Sequence, residues 1–204
     1  LLTYFVSSNQ NFECYTKTIY HEKSSKNKKG MDKWLYPDIV GVKFKNYSKN
    51  LVKFSDKFNF SVPKIYSFEI KINLSVGNFR EYFFQTVSNS SWANESYLIA
   101  LDIDVKDEEL NELISKLSSS FGIGVISLDT KNLDQSEILA PAKFRDSLDL
   151  VIMDELCRKN GDFNNFIKTI SEFQYENKVR YKDEFDEIYE LEELESYMSK
   201  KGIL

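Results

Sequence analysis

Residues 65–74, Ile-Tyr-Ser-Phe-Glu-Ile-Lys-Ile-Asn-Leu, are the stretch that decides the fold. Apolar residues hold the even positions from 66 to 74, and polar residues alternate with them: Ser67, Glu69, Lys71 and Asn73. A period of two is typical of a β-strand with one apolar and one polar face. In residues 78–91 the period becomes helical, with one stripe formed by Phe79, Tyr82, Phe83, Thr86 and Val87. The opposite stripe carries Gln85, Ser88 and Asn89, and we expect Ser88 and Asn89 to face solvent.

The same criteria, applied outward from this pair, predict four more strands, over residues 14–22, 34–44, 97–104 and 121–128. Helices are expected over residues 107–119, 143–158, 162–173 and 176–200, with a loop over residues 129–141. We expect Trp34 and Trp92 to be core anchors. Strands that alternate with helices indicate an α/β fold. The sequence therefore predicts an α/β/α sandwich with a mixed central sheet over residues 1–142 and a helical C-terminal extension over residues 143–204.

Composition excludes several classes of protein. The 204 residues are 42% apolar and 15% aromatic, which is enough for one domain with a buried core and unlike a disordered chain. No stretch approaches the roughly 18 apolar residues that span a bilayer, and no signal peptide is visible, so we expect a cytoplasmic protein without membrane contact. Cys14 and Cys157 lack a metal-type spacing, and we expect reduced, buried thiols.

Charge is divided unevenly along the chain. Residues 1–90 carry 14 Lys and Arg against 7 Asp and Glu, whereas residues 91–204 carry 13 against 25. A basic loop contributes much of the first excess: Lys23, Lys26, Lys28, Lys29 and Lys33. Such lysines could bind the phosphates of DNA without reading its sequence, or they could belong to an ordinary solvated loop.

The acidic residues concentrate in the last predicted helix, residues 176–200. Such a helix is usually a solvated face, but a surface for a homodimer or another partner is the alternative. The chain begins with Leu-Leu rather than Met, so we expect that an N-terminal region is missing.

Asp38, Glu69 and Lys71 form the constellation with chemical potential. Glu69 and Lys71 project from the same side of their strand because they are two residues apart. If residues 34–44 and 65–74 pair as a hairpin, Asp38 comes beside Glu69. Two carboxylates suit Mg²⁺, and a neighbouring ammonium can orient water or stabilise charge on a phosphate. The alternative is an exposed Glu-Lys pair without a catalytic role, which contributes less than about 1 kcal/mol.

The order Pro37-Asp38, about thirty residues, Glu69-Ile70-Lys71 and then a helix with Gln85 resembles the PD-(D/E)xK nuclease superfamily, whose core is restriction-endonuclease-like. The strings Tyr-His-Glu-Lys-Ser at residues 20–24, Trp-Leu-Tyr-Pro-Asp-Ile-Val-Gly at 34–41 and Ser-Asn-Ser-Ser-Trp-Ala-Asn at 88–94 are similar to a poorly characterised bacterial family found at restriction-modification loci. The resemblance covers residues 14–150. In that family the domain follows a winged-helix region, which would target DNA.

The resemblance implies a role for each matching residue. Asp38 and Glu69 would bind Mg²⁺ or Mn²⁺ together with the backbone carbonyl of Ile70, and Lys71 would be the catalytic lysine. Gln85 would help position the lysine or the substrate, although Asn89 stands where some branches have a tyrosine. Relatives often add a third acid near the N-terminus, for which Glu22 is our choice and Glu13 the alternative.

The implied activity is Mg²⁺-dependent hydrolysis of DNA phosphodiester bonds by an endonuclease of restriction or genome defence. A non-catalytic DNA-binding or protein-interaction module on the same fold is the rival hypothesis, because a fold does not guarantee an activity. A purely structural assembly domain is the third, and it rests on the acidic helix alone.

Overall fold

Six strands form one mixed sheet in the computed structural model, which describes residues 1–20, 36–44, 47–58, 63–189 and 193. The strands lie in chain order: β1 (Tyr15–Thr18), β2 (Ile39–Lys43), β3 (Lys64–Leu74), β4 (Glu95–Ile103), β5 (Gly124–Ser127) and β6 (Glu137–Ala140). β3, β4 and β5 are parallel, and the other neighbours pair antiparallel. This α/β architecture with a mixed sheet confirms the predicted fold class.

The helices of the described residues are α1 (Leu2–Ser8), α2 (Lys49–Lys57), α3 (Val76–Ser88), α4 (Glu108–Phe121), α5 (Leu150–Lys159) and α6 (Gly161–Glu172). Short 3₁₀ segments cover Leu133–Gln135 and Tyr175–Glu184. No helix in the described part of the chain has the length and apolar character needed to cross a bilayer.

The two faces of the sheet are covered by different elements. On the first face, the α1 face, buried residues of α1 pack with Phe12 against Phe68 of β3 and Ile99 of β4. The second face, the α3 face, carries two separate apolar clusters. One joins Ile65 and Trp92 to the helices α5 and α6. The other lies between the strands β4 to β6 and the helices α3 and α4. The expected role of Trp92 as a core anchor is confirmed, since its side chain is fully buried.

The predicted hairpin is confirmed. β2 and β3 are antiparallel from the pair Ile39 with Phe68 to the pair Lys43 with Lys64. β3 then leads through Ser75 directly into α3, whose Asn78 Oδ1 accepts a hydrogen bond from the Ser75 N–H at 2.9 Å. The Asn78 N–H donates in return to the Ser75 carbonyl oxygen at 3.2 Å. These two contacts between Ser75 and Asn78 start the helix immediately after the strand.

The burial of Glu69 contradicts the alternative interpretation, in which Glu69 and Lys71 form an exposed pair on the polar face of β3. Ser67 and Glu69 are buried, whereas the apolar Ile72 is 77% exposed. β3 is a central strand, so helices and loops cover both of its faces where β2 and β4 flank it. β2 pairs with β3 only as far as Phe68, and the outer part of β3 that carries Ile72 extends beyond this cover.

Two helices predicted at the C-terminal side differ from the structure in part, and the first is confirmed only from Leu150 onward. Residues 143–149 do not form a helix, because their backbone bonds to other segments: the Lys143 N–H to Gly122 O, and the Arg145 N–H to Asn94 O. α5 begins only after Asp149, whose side chain accepts hydrogen bonds from the next turn. Of the helix expected over residues 176–200, the described part is a 3₁₀ segment to Glu184 followed by non-helical chain over residues 185–189. Residues 190–192 and 194–200 lie outside the described residues, so the prediction stays untested there.

Three elements escaped the sequence analysis, namely α1, α2 and β6. β6 lies in the predicted loop over residues 129–141, and its four residues are too few for an alternating pattern to stand out. Of the two thiols, Cys14 is buried as expected, and burial raises its pKa above the ordinary value, whereas Cys157 is only partly covered.

The segment after the last 3₁₀ turn covers the outer edge of β1. The Asp186 N–H donates to the Thr16 carbonyl oxygen at 2.8 Å, and Asp186 Oδ1 accepts from the Thr18 N–H at 3.0 Å. Asp186 Oδ2 accepts from both threonine hydroxyls, at 3.0 and 3.1 Å. A single aspartate thus satisfies the polar groups of an edge strand.

Replacing this aspartate should destabilise the fold. Asp186→Ala removes three hydrogen bonds to a charged acceptor, and we expect the free energy of unfolding to fall by about 2 kcal/mol. Urea denaturation measures the change. Asp183→Ala, at an exposed acid three residues earlier, is the matched control and should have little effect. Equal midpoints for the two variants would contradict the role given to Asp186.

Candidate metal centre

Asp38 lies at the beginning of β2 and is held there by two contacts. Its carbonyl oxygen accepts a hydrogen bond from the Ile19 N–H at 2.9 Å, and its Oδ2 accepts from the Ile70 N–H at 2.8 Å. The register of the hairpin pairs Ile39 with Phe68, so the next position outward sets Asp38 opposite Glu69. The Asp38 carboxylate is therefore fixed beside the segment from Glu69 to Lys71.

Glu69 is a buried carboxylate, with 1% of its surface exposed. Its Oε1 accepts hydrogen bonds from Lys71 Nζ at 2.7 Å and from Gln85 Nε2. A buried charge is costly unless it is paired and hydrogen-bonded, and these two donors meet both requirements. They also fix the orientation of the carboxylate.

Lys71 has a second contact that the sequence analysis missed. Its ammonium lies over the ring of Tyr82, 5.1 Å from the ring centre, in a cation–π arrangement. Tyr82 precedes Gln85 by three residues, so both side chains leave α3 on the side that faces β3. The signal in the sequence was this spacing, but the helical pattern assigned Tyr82 only to the apolar stripe.

The predicted residues that the structure brings together are Asp38, Glu69, Ile70, Lys71 and Gln85. They come from two antiparallel strands and the helix that follows the second strand. Glu13, the alternative third acid, is not among them. It forms an ion pair with Lys43 at 2.6 Å, and Lys43 is at the opposite end of β2 from Asp38.

Other predicted residues lie outside the described part of the chain. These are the preferred third acid Glu22, the lysines of the basic loop (Lys23, Lys26, Lys28, Lys29 and Lys33), and Trp34. Their roles therefore remain predictions from the sequence.

The chemistry of the donor set fits a hard divalent cation. Among the described residues, no group of three Asp, Glu, His or Cys side chains forms a metal cluster. Mg²⁺ does not require one, because it is commonly held by one or two carboxylates, with water and substrate phosphate completing its shell. Asp38 and Glu69 supply two carboxylates, and Lys71 supplies a cation beside them.

The expectation that Asn89 faces solvent is wrong. It is 1% exposed rather than solvated, whereas Ser88 is exposed as predicted. The chain folds back over the sheet immediately after α3, and Asn94 anchors it there by accepting from the Ile65 N–H at 2.7 Å.

Comparisons of the chain with protein-family models, with curated proteins and with solved structures found no match.

Proposed function

We propose that this chain hydrolyses phosphodiester bonds of DNA with the help of Mg²⁺. The observation that carries the proposal is the convergence of Asp38, the Glu69-Ile70-Lys71 segment and Gln85 at one place in the fold. The resemblance to the PD-(D/E)xK superfamily supports DNA as the substrate and a role as a restriction or defence endonuclease. We place this activity in the cytoplasm.

Each residue has a distinct task in the proposed reaction. Asp38 and Glu69 would hold Mg²⁺ together with the Ile70 carbonyl oxygen, and Mn²⁺ could replace it. The bound cation supplies Lewis acidity toward the phosphate oxygen. Lys71 would orient the attacking water and stabilise the negative charge that grows on the phosphate. Gln85 would keep the Glu69 carboxylate in place.

One observation favours the rival, a non-catalytic module. Lys71 and Gln85 both already bind Oε1 of the buried Glu69 carboxylate, and such a network can serve to specify a fold. Metal binding separates the two proposals. A purely structural network has no requirement for a divalent cation, whereas the nuclease does.

We expect the 204-residue protein to convert supercoiled plasmid to nicked or linear DNA in Mg²⁺ or Mn²⁺, and to lose this activity in EDTA. Gel electrophoresis measures the conversion, and calorimetric titration measures Mn²⁺ binding in the absence of DNA. Cleavage that persists in EDTA would contradict the proposed chemistry. Absence of both cleavage and Mn²⁺ binding would favour the non-catalytic module.

A further inference from the structure

A band of buried polar side chains crosses the α3 face between its two apolar clusters. Ser67 of β3 and Ser96 of β4 are register partners in the parallel pair and point to the same side of the sheet. They are 0% and 3% exposed. Glu69, two residues after Ser67, projects from the same face of β3. The band therefore begins next to the candidate metal centre.

The direction of α3 across β3 indicates where Asn89, the residue that follows α3, lies relative to this band. Contacts between α3 and β3 run in opposite directions along the two elements: Tyr82 meets Lys71, and Gln85 meets Glu69. One helical turn beyond Gln85 brings Asn89 over the position two residues before Glu69, which is Ser67. The anchoring of the chain at Ile65 by Asn94, described above, continues the same progression.

Three residues of this band have polar atoms without a hydrogen-bond partner among the residues that the structure describes. They are Nδ2 and Oδ1 of Asn89 and the hydroxyl oxygens of Ser67 and Ser96. Within the same described part of the chain, the buried indole N–H of Trp92, which packs on the same face, also lacks a partner. Buried polar groups in native proteins are nearly always hydrogen-bonded, and where protein does not supply the partner, ordered water does. Four residues on the α3 face therefore require a hydrogen-bond partner such as water, namely Ser67, Asn89, Trp92 and Ser96.

We propose that Ser67, Asn89 and Ser96 form a binding site for buried water beside Glu69, and that this water helps to position the Glu69 carboxylate. The mixed chemistry of the site selects the ligand. An amide and two hydroxyls present both donors and acceptors, which match water. The Asn89 amide N–H groups disfavour a metal cation, and the adjacent Glu69 carboxylate disfavours an anion.

The role of the site in catalysis rests on the proposed function. Partners that orient a metal-binding carboxylate influence metal affinity although they do not touch the metal. Asn89 and Ser67 are then positioning residues, since they act on Glu69 through water. Gln85 and Lys71 hold Oε1 of the same carboxylate directly.

Two variants and one control test this inference. Asn89→Leu has nearly the same shape as the native residue and removes both polar atoms, and Ser67→Ala removes one hydroxyl. Ser118→Ala is the matched control, because Ser118 on α4 also has a buried hydroxyl that no described residue hydrogen-bonds, but it lies outside the band. Calorimetric titration with Mn²⁺ alone gives the affinities, thermal unfolding checks the fold, and a high-resolution crystal structure of the wild-type protein shows ordered water.

We expect each of the two band variants to weaken Mn²⁺ binding about 10-fold and the control to bind as the wild type does. The crystal structure should show water within hydrogen-bond distance of Asn89 and Ser67.

Two results would overturn the inference even if the protein cleaves DNA. One is wild-type Mn²⁺ affinity in folded Asn89→Leu and Ser67→Ala, and the other is a crystal structure without water in the band. Weakened binding in a protein that binds Mn²⁺ but does not cleave DNA would support the water site and contradict the nuclease. A wild-type protein that binds no Mn²⁺ would overturn the positioning role.

Discussion

Glu69→Gln is expected to abolish both Mn²⁺ binding and metal-dependent DNA cleavage. The substitution keeps the size of the side chain but removes the charge that would hold the cation. Several kcal/mol of transition-state stabilisation depend on a bound metal, so the rate of cleavage should fall by roughly 10³-fold or more. Initial rates of plasmid nicking and calorimetric titration with Mn²⁺ measure the two effects.

Lys71→Met separates metal binding from the stabilisation of charge on the phosphate within the same site. Methionine retains the unbranched apolar stem but not the ammonium, so cleavage should fall roughly 10²-fold or more while Mn²⁺ binding persists. Glu13→Gln is the control, because it breaks another Glu-Lys ion pair, with Lys43, at a surface position remote from Asp38. Equal loss of cleavage in all three variants would indicate a general effect on the fold. Full activity of Glu69→Gln would exclude Glu69 as a metal ligand.

Gly124→Ala is expected to destabilise the protein by about 3 kcal/mol, the largest effect on stability that we predict. A methyl group at position 124 would lie 2.3 Å from two carbons of the Tyr97 ring and 2.8 Å from the backbone nitrogen of Ala142. The Tyr97 ring cannot move aside easily, since it is buried and packs against the rings of Phe12 and Phe68. To admit the methyl group, the Tyr97 ring and the backbone at Ala142 would have to shift.

Gly161→Ala is the matched control for this prediction. Position 161 is the first residue of α6, and a methyl group there would meet no atom within 4 Å. Alanine should leave stability unchanged or raise it slightly, because it restricts the unfolded chain. Urea denaturation of both variants measures the difference, and a similar midpoint for the two would contradict the steric argument.

The sequence predicted the elements that carry the candidate site. β3 was recognisable because its alternation extends over many residues, and α3 follows it with a clear helical period. The hairpin followed from the proximity of β2 and β3 in the chain. These local patterns sufficed to set Asp38 beside Glu69, which is the central geometric feature of the site.

What the sequence could not predict depends on tertiary contacts. Asn89 continues the polar stripe of α3 immediately after its last residue, and a helical pattern cannot distinguish a stripe that meets solvent from one that meets a buried polar band. The exposure of Ile72 has the same origin, since alternation does not reveal where a neighbouring strand ends. In residues 143–149, backbone bonds to distant loops overrode local helical propensity.

Asp186 has a consequence for the behaviour of this protein at high concentration. An uncovered outer strand is a template on which the strand of a second molecule can pair, and repeated pairing leads to aggregation. Asp186 takes the Thr16 carbonyl and the Thr18 N–H, which are the groups that such a strand would use. It also places a negative charge at the edge, which repels an identical chain. We therefore expect Asp186 to disfavour pairing of β1 with the edge strand of a second molecule.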